Sequence, residues 1–157
     1  MDSEARLYIE RAGNELRLGK AVFNLSSNEK AKIELGANPD DTFYSAVISH
    51  CYYSIFYSAK AYLLSKGVRT SPPEEHRKTY EAFAAFVRKG VLDRELLRIY
   101  DDLLVKADEL LSLFSREKWK RGHYTYKTIA QANIPPAEES LANSVRFLSN
   151  INRILGS

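Results

Sequence analysis

The sequence predicts an all-α protein, an antiparallel bundle of four to five helices in a single domain over residues 1–157, on three observations. Apolar residues recur at spacings of three and four rather than two. Glycine and proline interrupt the chain at only a few places: Gly36 to Pro39, Gly67 to Pro73, Gly90, Gly122 and Asn133 to Pro136. Residues 42–66 are apolar or aromatic on nearly every face, which suits a helix at the centre of a bundle or in an oligomer interface.

Each element follows from these signals. The first helix is expected from Ser3 to Leu35, with Leu7, Leu18, Val22, Leu25 and Ile33 facing inward, Glu15 and Arg17 outside, and a weak point at Ser26-Ser27-Asn28. The second opens after the capping residues Asp40-Asp41-Thr42 and stops at Gly67, a residue suited to the left-handed position past a helix end. Its faces carry Phe43, Val47, Cys51, Ile55, Phe56, Ala59, Tyr62 and Leu63, with Tyr44, Tyr52, Tyr53 and Tyr57 as core or interface aromatics.

Ser71-Pro72-Pro73-Glu74 reads as a capping box with proline at the first helical position, launching a third helix through Phe83, Phe86 and Val87 to Gly90. The fourth runs from near Asp93 to about Arg121 on a stripe of Leu96, Leu97, Tyr100, Leu103, Leu104, Ala107, Leu110, Leu111 and Phe114. After a loop closed by Pro135-Pro136, the fifth places Leu141, Val145, Leu148, Ile151 and Leu155 on one face as the final antiparallel member.

Composition narrows the function. With 45% hydrophobic and 27% charged residues, 157 residues are enough to bury a sizeable core. One cysteine, Cys51, allows neither a disulfide framework nor a cysteine metal cluster and points to a reducing cytoplasm. The first residues carry acid, Asp2 and Glu4, where a signal peptide carries base, and no apolar run approaches the roughly 20 residues that span a bilayer. A net charge of +3 with both signs interspersed makes local clusters more informative than the total.

Glycine-rich phosphate loops, paired histidines at metal-ligand spacing and nucleophile-elbow serines are all missing from the sequence, so neither a metal nor a cofactor is expected. What stands out is the basic and aromatic run from Arg116 to Lys127. Lys118, Lys120 and Arg121 can neutralise phosphates, while Trp119, Tyr124 and Tyr126 offer faces for unstacked bases, as single-stranded RNA requires. The plain alternative is a solvated helix end whose cations favour the C-terminal dipole.

Arg116 and His123 are seven residues apart and would share one face of a continuous helix within about 20°. Were both to reach one phosphate, His123 could take the proton of a ribose 2′-hydroxyl while Arg116 stabilised the developing charge. His50 reads as a hydrogen-bonded core histidine, and His76 either as an exposed residue without function or as a further nucleotide contact.

The run His50-Cys51-Tyr52-Tyr53-Ser54-Ile55-Phe56-Tyr57-Ser58-Ala59-Lys60-Ala61-Tyr62-Leu63-Leu64-Ser65-Lys66-Gly67-Val68 resembles the second long helix of the HEPN (higher eukaryote and prokaryote nucleotide-binding) domain family. His76, the short third helix, and an arginine late in the fourth helix followed by a tyrosine continue the likeness from about Ala5 to Leu155. The resemblance implies a bundle of four or five helices, commonly a homodimer, often paired with a minimal nucleotidyltransferase in prokaryotic toxin–antitoxin systems. It also implies metal-independent ribonuclease activity in members with an arginine, four to six residues and a histidine, a spacing that Arg116 and His123 meet at its upper limit. Two functions stay open on these grounds: an accessory protein of a nucleotidyltransferase, binding nucleotide or RNA through the basic helix end, and a ribonuclease toxin.

Overall fold

The computed structural model describes residues 1–111 and 134–156, apart from the side chain of Glu109, and among them there are six helices and no strand. They are α1 (Ser3–Ser26), α2 (Glu29–Glu34), α3 (Tyr44–Ser65), α4 (Glu75–Arg88), α5 (Arg94–Leu111) and α6 (Ile134–Leu155). The expected first helix therefore breaks in two at its weak point, where the Asn28 side chain caps α2 by accepting from the Ala31 amide at 3.0 Å.

Helix α3 is the axis of the bundle. From Tyr44 to Leu64 none of its residues is exposed, and α1, α4, α5 and α6 all pack against it. Contacts pair Ser26 with Phe43, Glu15 with His50 and Ala12 with Ser54, so α1 runs antiparallel to α3. Helix α6 meets Cys51 at Ser144, and its residues Ile154 and Leu155 share a surface pocket with Leu64, Ser65 and Lys66. It thus runs parallel to α3 and antiparallel to α1.

The seam between α1 and α3 is made of small residues. Ala5, Ala12, Leu16, Gly19 and Ser26 are buried, whereas Leu7, Leu18 and Ile33, expected to face inward, are about half exposed. Close approach of the backbones explains the difference: Ala12 meets Ser54 and Gly19 meets Cys51, leaving no room between them for leucine-sized side chains. Glu15, expected outside, turns in to His50. A side-chain atom placed on Gly19 would meet Leu141 of α6 and His50 and Cys51 of α3 at 3.5 to 3.8 Å, ordinary contact with two other helices at once.

Polar atoms in this seam are paired. Ser54 Oγ donates to the Ala12 carbonyl at 2.8 Å, Ser58 Oγ to the Ser54 carbonyl at 2.7 Å, and Ser144 Oγ to the Cys51 carbonyl at 3.2 Å. On the other side Tyr52, Tyr62, Phe83, Tyr100 and Phe147 form a fully buried aromatic core in edge and tilted contacts of 5.4 to 6.4 Å. Each of the two phenylalanine rings contributes about 1.5–3 kcal/mol through burial.

Three expected boundaries are corrected. Helix α3 is not capped by Asp40, Asp41 or Thr42: its N-cap is Phe43, without a side-chain cap, because Asp41 bonds back to the Asn38 amide and Ser26 Oγ accepts the Phe43 amide. The buried Lys32 fastens the same loop by donating to the Ser26 and Asp41 carbonyls at 3.0 and 2.8 Å. The capping box at Ser71 does not form, since Glu74 takes a left-handed conformation (φ 55°, ψ 41°) and α4 starts only at Glu75. Pro135 and Pro136 lie inside the first turn of α6, where a missing amide hydrogen leaves no bond unmade.

Along α6 the buried line is Ala137, Ser140, Ser144, Phe147 and Ile151, so Val145, expected inside, is 37% exposed. On α5 the fully buried Ile99 joins Leu96, Tyr100, Leu103, Leu104 and Ala107, while Leu111 lies at the margin. The far part of the expected fourth helix, with Phe114 and Gly122, lies outside the described residues.

These packing differences predict opposite outcomes for two substitutions in α1. Ala12→Leu overfills the seam and should cost about 1–3 kcal/mol in urea unfolding, whereas Leu18→Ser should change stability by no more than about 0.5 kcal/mol.

Candidate functional site

Helix α5 carries the chain toward its basic run, anchored by the buried stripe from Leu96 to Ala107. Arg116, Lys118, Trp119, Lys120, Arg121, His123, Tyr124 and Tyr126 all lie outside the described residues, between Leu111 at the end of α5 and Ile134 at the start of α6.

Among the described residues the chemistry-bearing side chains gather on α3 and the elements beside it. His76, in the first turn of α4, is half-buried rather than exposed. Its ring stacks on Phe56 with centroids 4.3 Å apart and meets the edge of Tyr53 at 5.9 Å. Its Nδ1 lies 2.9 Å from the hydroxyl of the buried Tyr52, a hydrogen bond that holds the ring's orientation. Burial lowers the His76 pKa below the ordinary value, against the raising effect of Glu75 and with Lys60 adding to the lowering. The imidazole is therefore neutral near neutral pH, with one nitrogen committed to Tyr52.

What places His76 there is a polar cluster beneath it. Lys60, buried in the middle of α3, donates to the Thr70 carbonyl at 3.1 Å and pairs with Glu75, while its ammonium lies 4.9 Å from the centre of the Tyr8 ring. Thr70 and Thr79 share a buried hydroxyl bond of 2.7 Å, which ties the connection to the second turn of α4. A lone lysine inside an otherwise apolar helix was the signal in the sequence for this cluster, because a buried ammonium demands a partner.

Next to His76 the face of α3 continues through Tyr53 and Tyr57, both half-buried. Tyr57 stacks on Tyr8 at 5.9 Å, with the Arg11 guanidinium 5.7 Å from its ring centre. One turn earlier His50 Nδ1 donates to Glu15 Oε2 at 2.7 Å, so this histidine is hydrogen-bonded as expected, though it is half-buried. Cys51 is fully buried, and burial pushes its thiol up to about 12, so it serves as a packing residue. Among the described residues no group of three or more His, Cys, Asp or Glu side chains is arranged to hold a metal ion, and no helix is long and apolar enough to cross a membrane.

Comparison with known proteins gives two matches. The family model described as the HEPN domain matches residues 15–139. A protein of Methanocaldococcus jannaschii bearing the name "Putative toxin MJ0142" is 31% identical over 90 residues, covering 56% of this chain and 59% of that protein. The match thus spans somewhat more than half of the relative's length.

The lowered His76 pKa carries a sign for stability against pH. The unfolded chain takes up a proton near the ordinary histidine value of about 6.5, while the folded chain resists it, so this contribution is complete above that value and is lost as the pH falls below it. Melting temperatures measured from pH 7 to pH 5 should therefore fall more steeply for the native protein than for His76→Gln. Equal slopes would contradict the assignment.

Proposed function

Given that the chain belongs to the HEPN domain family, we propose that it is an RNA-directed member of a toxin–antitoxin pair, with its working end in the basic run from Arg116 to Tyr126. The observation that carries this reading is the placement of Arg116 and His123, six residues between them, where α5 hands the chain on after Leu111. The name of the M. jannaschii relative favours a toxin.

In this reading Lys118, Lys120 and Arg121 hold the phosphate backbone, and Trp119, Tyr124 and Tyr126 stack on unpaired bases. His123 accepts the proton of a ribose 2′-hydroxyl as its oxygen attacks the adjacent phosphorus. The bond to the 5′-oxygen breaks, the leaving oxygen takes up a proton, and a 2′,3′-cyclic phosphate remains. Arg116 stabilises the negative charge that builds on the phosphoryl oxygens. Two copies in a homodimer would bring two such pairs to one cleft.

A second reading makes the chain the accessory protein of a minimal nucleotidyltransferase, binding nucleotide or RNA through the same end without cleaving it. It is favoured by Glu117, a carboxylate beside Arg116 able to pair with a neighbouring cation, and by Gly122, a residue of low helix propensity directly before His123.

Single-stranded RNA incubated with the purified protein in excess chelator separates the two. Cleavage to 2′,3′-cyclic ends, slowed about 10²- to 10⁴-fold by His123→Ala, supports the toxin. Intact RNA together with tight binding of a minimal nucleotidyltransferase supports the accessory role and rejects catalysis.

A further inference from the structure

The hairpin between α4 and α5 leaves an open groove of about 740 Å³. Its floor is apolar, made by Val87 from the last turn of α4, Leu92 from the connection and Leu97 from the first turn of α5. Its rim is cationic, with Arg88, Arg94 and Arg98. Arg98 is already engaged, bonded to Glu95 at 2.8 and 2.7 Å. Arg88 and Arg94 are exposed, and neither makes a hydrogen bond or ion pair with a described residue.

One carboxylate, Asp101, lines the same groove. It accepts the Tyr80 hydroxyl and, having two oxygens, keeps acceptor capacity to spare. Among the described residues the groove therefore offers two guanidinium groups without a hydrogen bond or ion pair, an apolar floor, and a carboxylate with room for a further donor.

We infer that this groove docks an acidic peptide segment bearing aliphatic side chains, contributed by a protein partner. Carboxylates match Arg88 and Arg94 in the fork geometry that guanidinium groups favour. Leucine-sized side chains cover the exposed part of Leu97, backed by the buried Val87 and Leu92, and a backbone amide of the segment meets Asp101. A single-stranded nucleic acid fits less well, since the groove is lined by aliphatic and arginine side chains and offers no aromatic face on which bases could stack.

The placement allows both ends of the molecule to work together. Helix α5 has 18 residues, about 27 Å of length, and the groove's end wall from Gly90 to Arg94 sits at the opposite end from Leu111. A partner held here sits about one helix length from Leu111. The inference does not depend on whether that chain cleaves RNA.

The probe is a short synthetic peptide of alternating Glu and Leu, with a matched Lys and Leu peptide and a single-stranded RNA oligonucleotide as comparisons. Isotope-labelled full-length protein is titrated with each. The acidic peptide should shift amide resonances between Val87 and Asp101, and the double variant Arg88→Glu with Arg94→Glu should weaken it about tenfold while leaving the circular dichroism and melting temperature unchanged, as both side chains are exposed. Equal binding of the acidic and basic peptides, native-like binding by the double variant, or shifts in the groove caused by RNA rather than by the acidic peptide would each overturn the inference.

Discussion

Between Tyr44 and Leu64 the central helix turns tyrosines, aliphatic residues and small polar residues toward four neighbours, and every side of it has to be covered before it can persist in water. That requirement arranges the rest of the bundle. Helix α1 covers one side through its strip of alanine, glycine and serine, α6 closes the next beside Cys51, and α4 and α5 enclose the aromatic side around Tyr52 and Tyr62. Small residues of both helices meet at the α1 seam, Ala12 on Ser54 and Gly19 on Cys51, while large rings of α3 pack on its other side.

The same helix also organises the polar chemistry. Lys60 cannot lie buried without partners, so the connection bends to bring the Thr70 carbonyl and Glu75 to it. This fixes where α4 begins, and the start of α4 sets His76 against Phe56 and Tyr52. A structural ion pair thereby orients a neutral imidazole at the edge of a half-buried aromatic face. The cationic groove between α4 and α5 is a consequence at the other end of α4, where the chain turns tightly and Arg88 and Arg94 are left facing solvent.

How much of this was legible beforehand depended on whether the signal was local. The central helix could be read because its apolar character continues round every face, and the break at Ser26-Ser27-Asn28 because those residues favour caps and turns over helix interiors. The inward face of α1 was misread because Leu7 and Leu18 are large, whereas burial at that seam selects for small volume. The expected caps at Asp41 and Ser71 failed because distant residues, Ser26 and Lys32 in one loop and Lys60 and Thr79 in the other, organise those connections. The pairing of His76 with Tyr52 joins residues 24 apart and leaves no trace in local spacing. The basic run after Leu111 was visible in composition alone, through its density of Arg, Lys, Trp and Tyr.

Native-state hydrogen exchange tests most directly whether the central helix is the element on which all others depend. If it is, amides from Val47 to Leu63 exchange only through global unfolding, with the full denaturant sensitivity of the whole protein, and are the slowest in the molecule. Amides of α3 that exchange through smaller openings while those of α1 and α6 remain protected would show that the bundle holds together without its supposed axis.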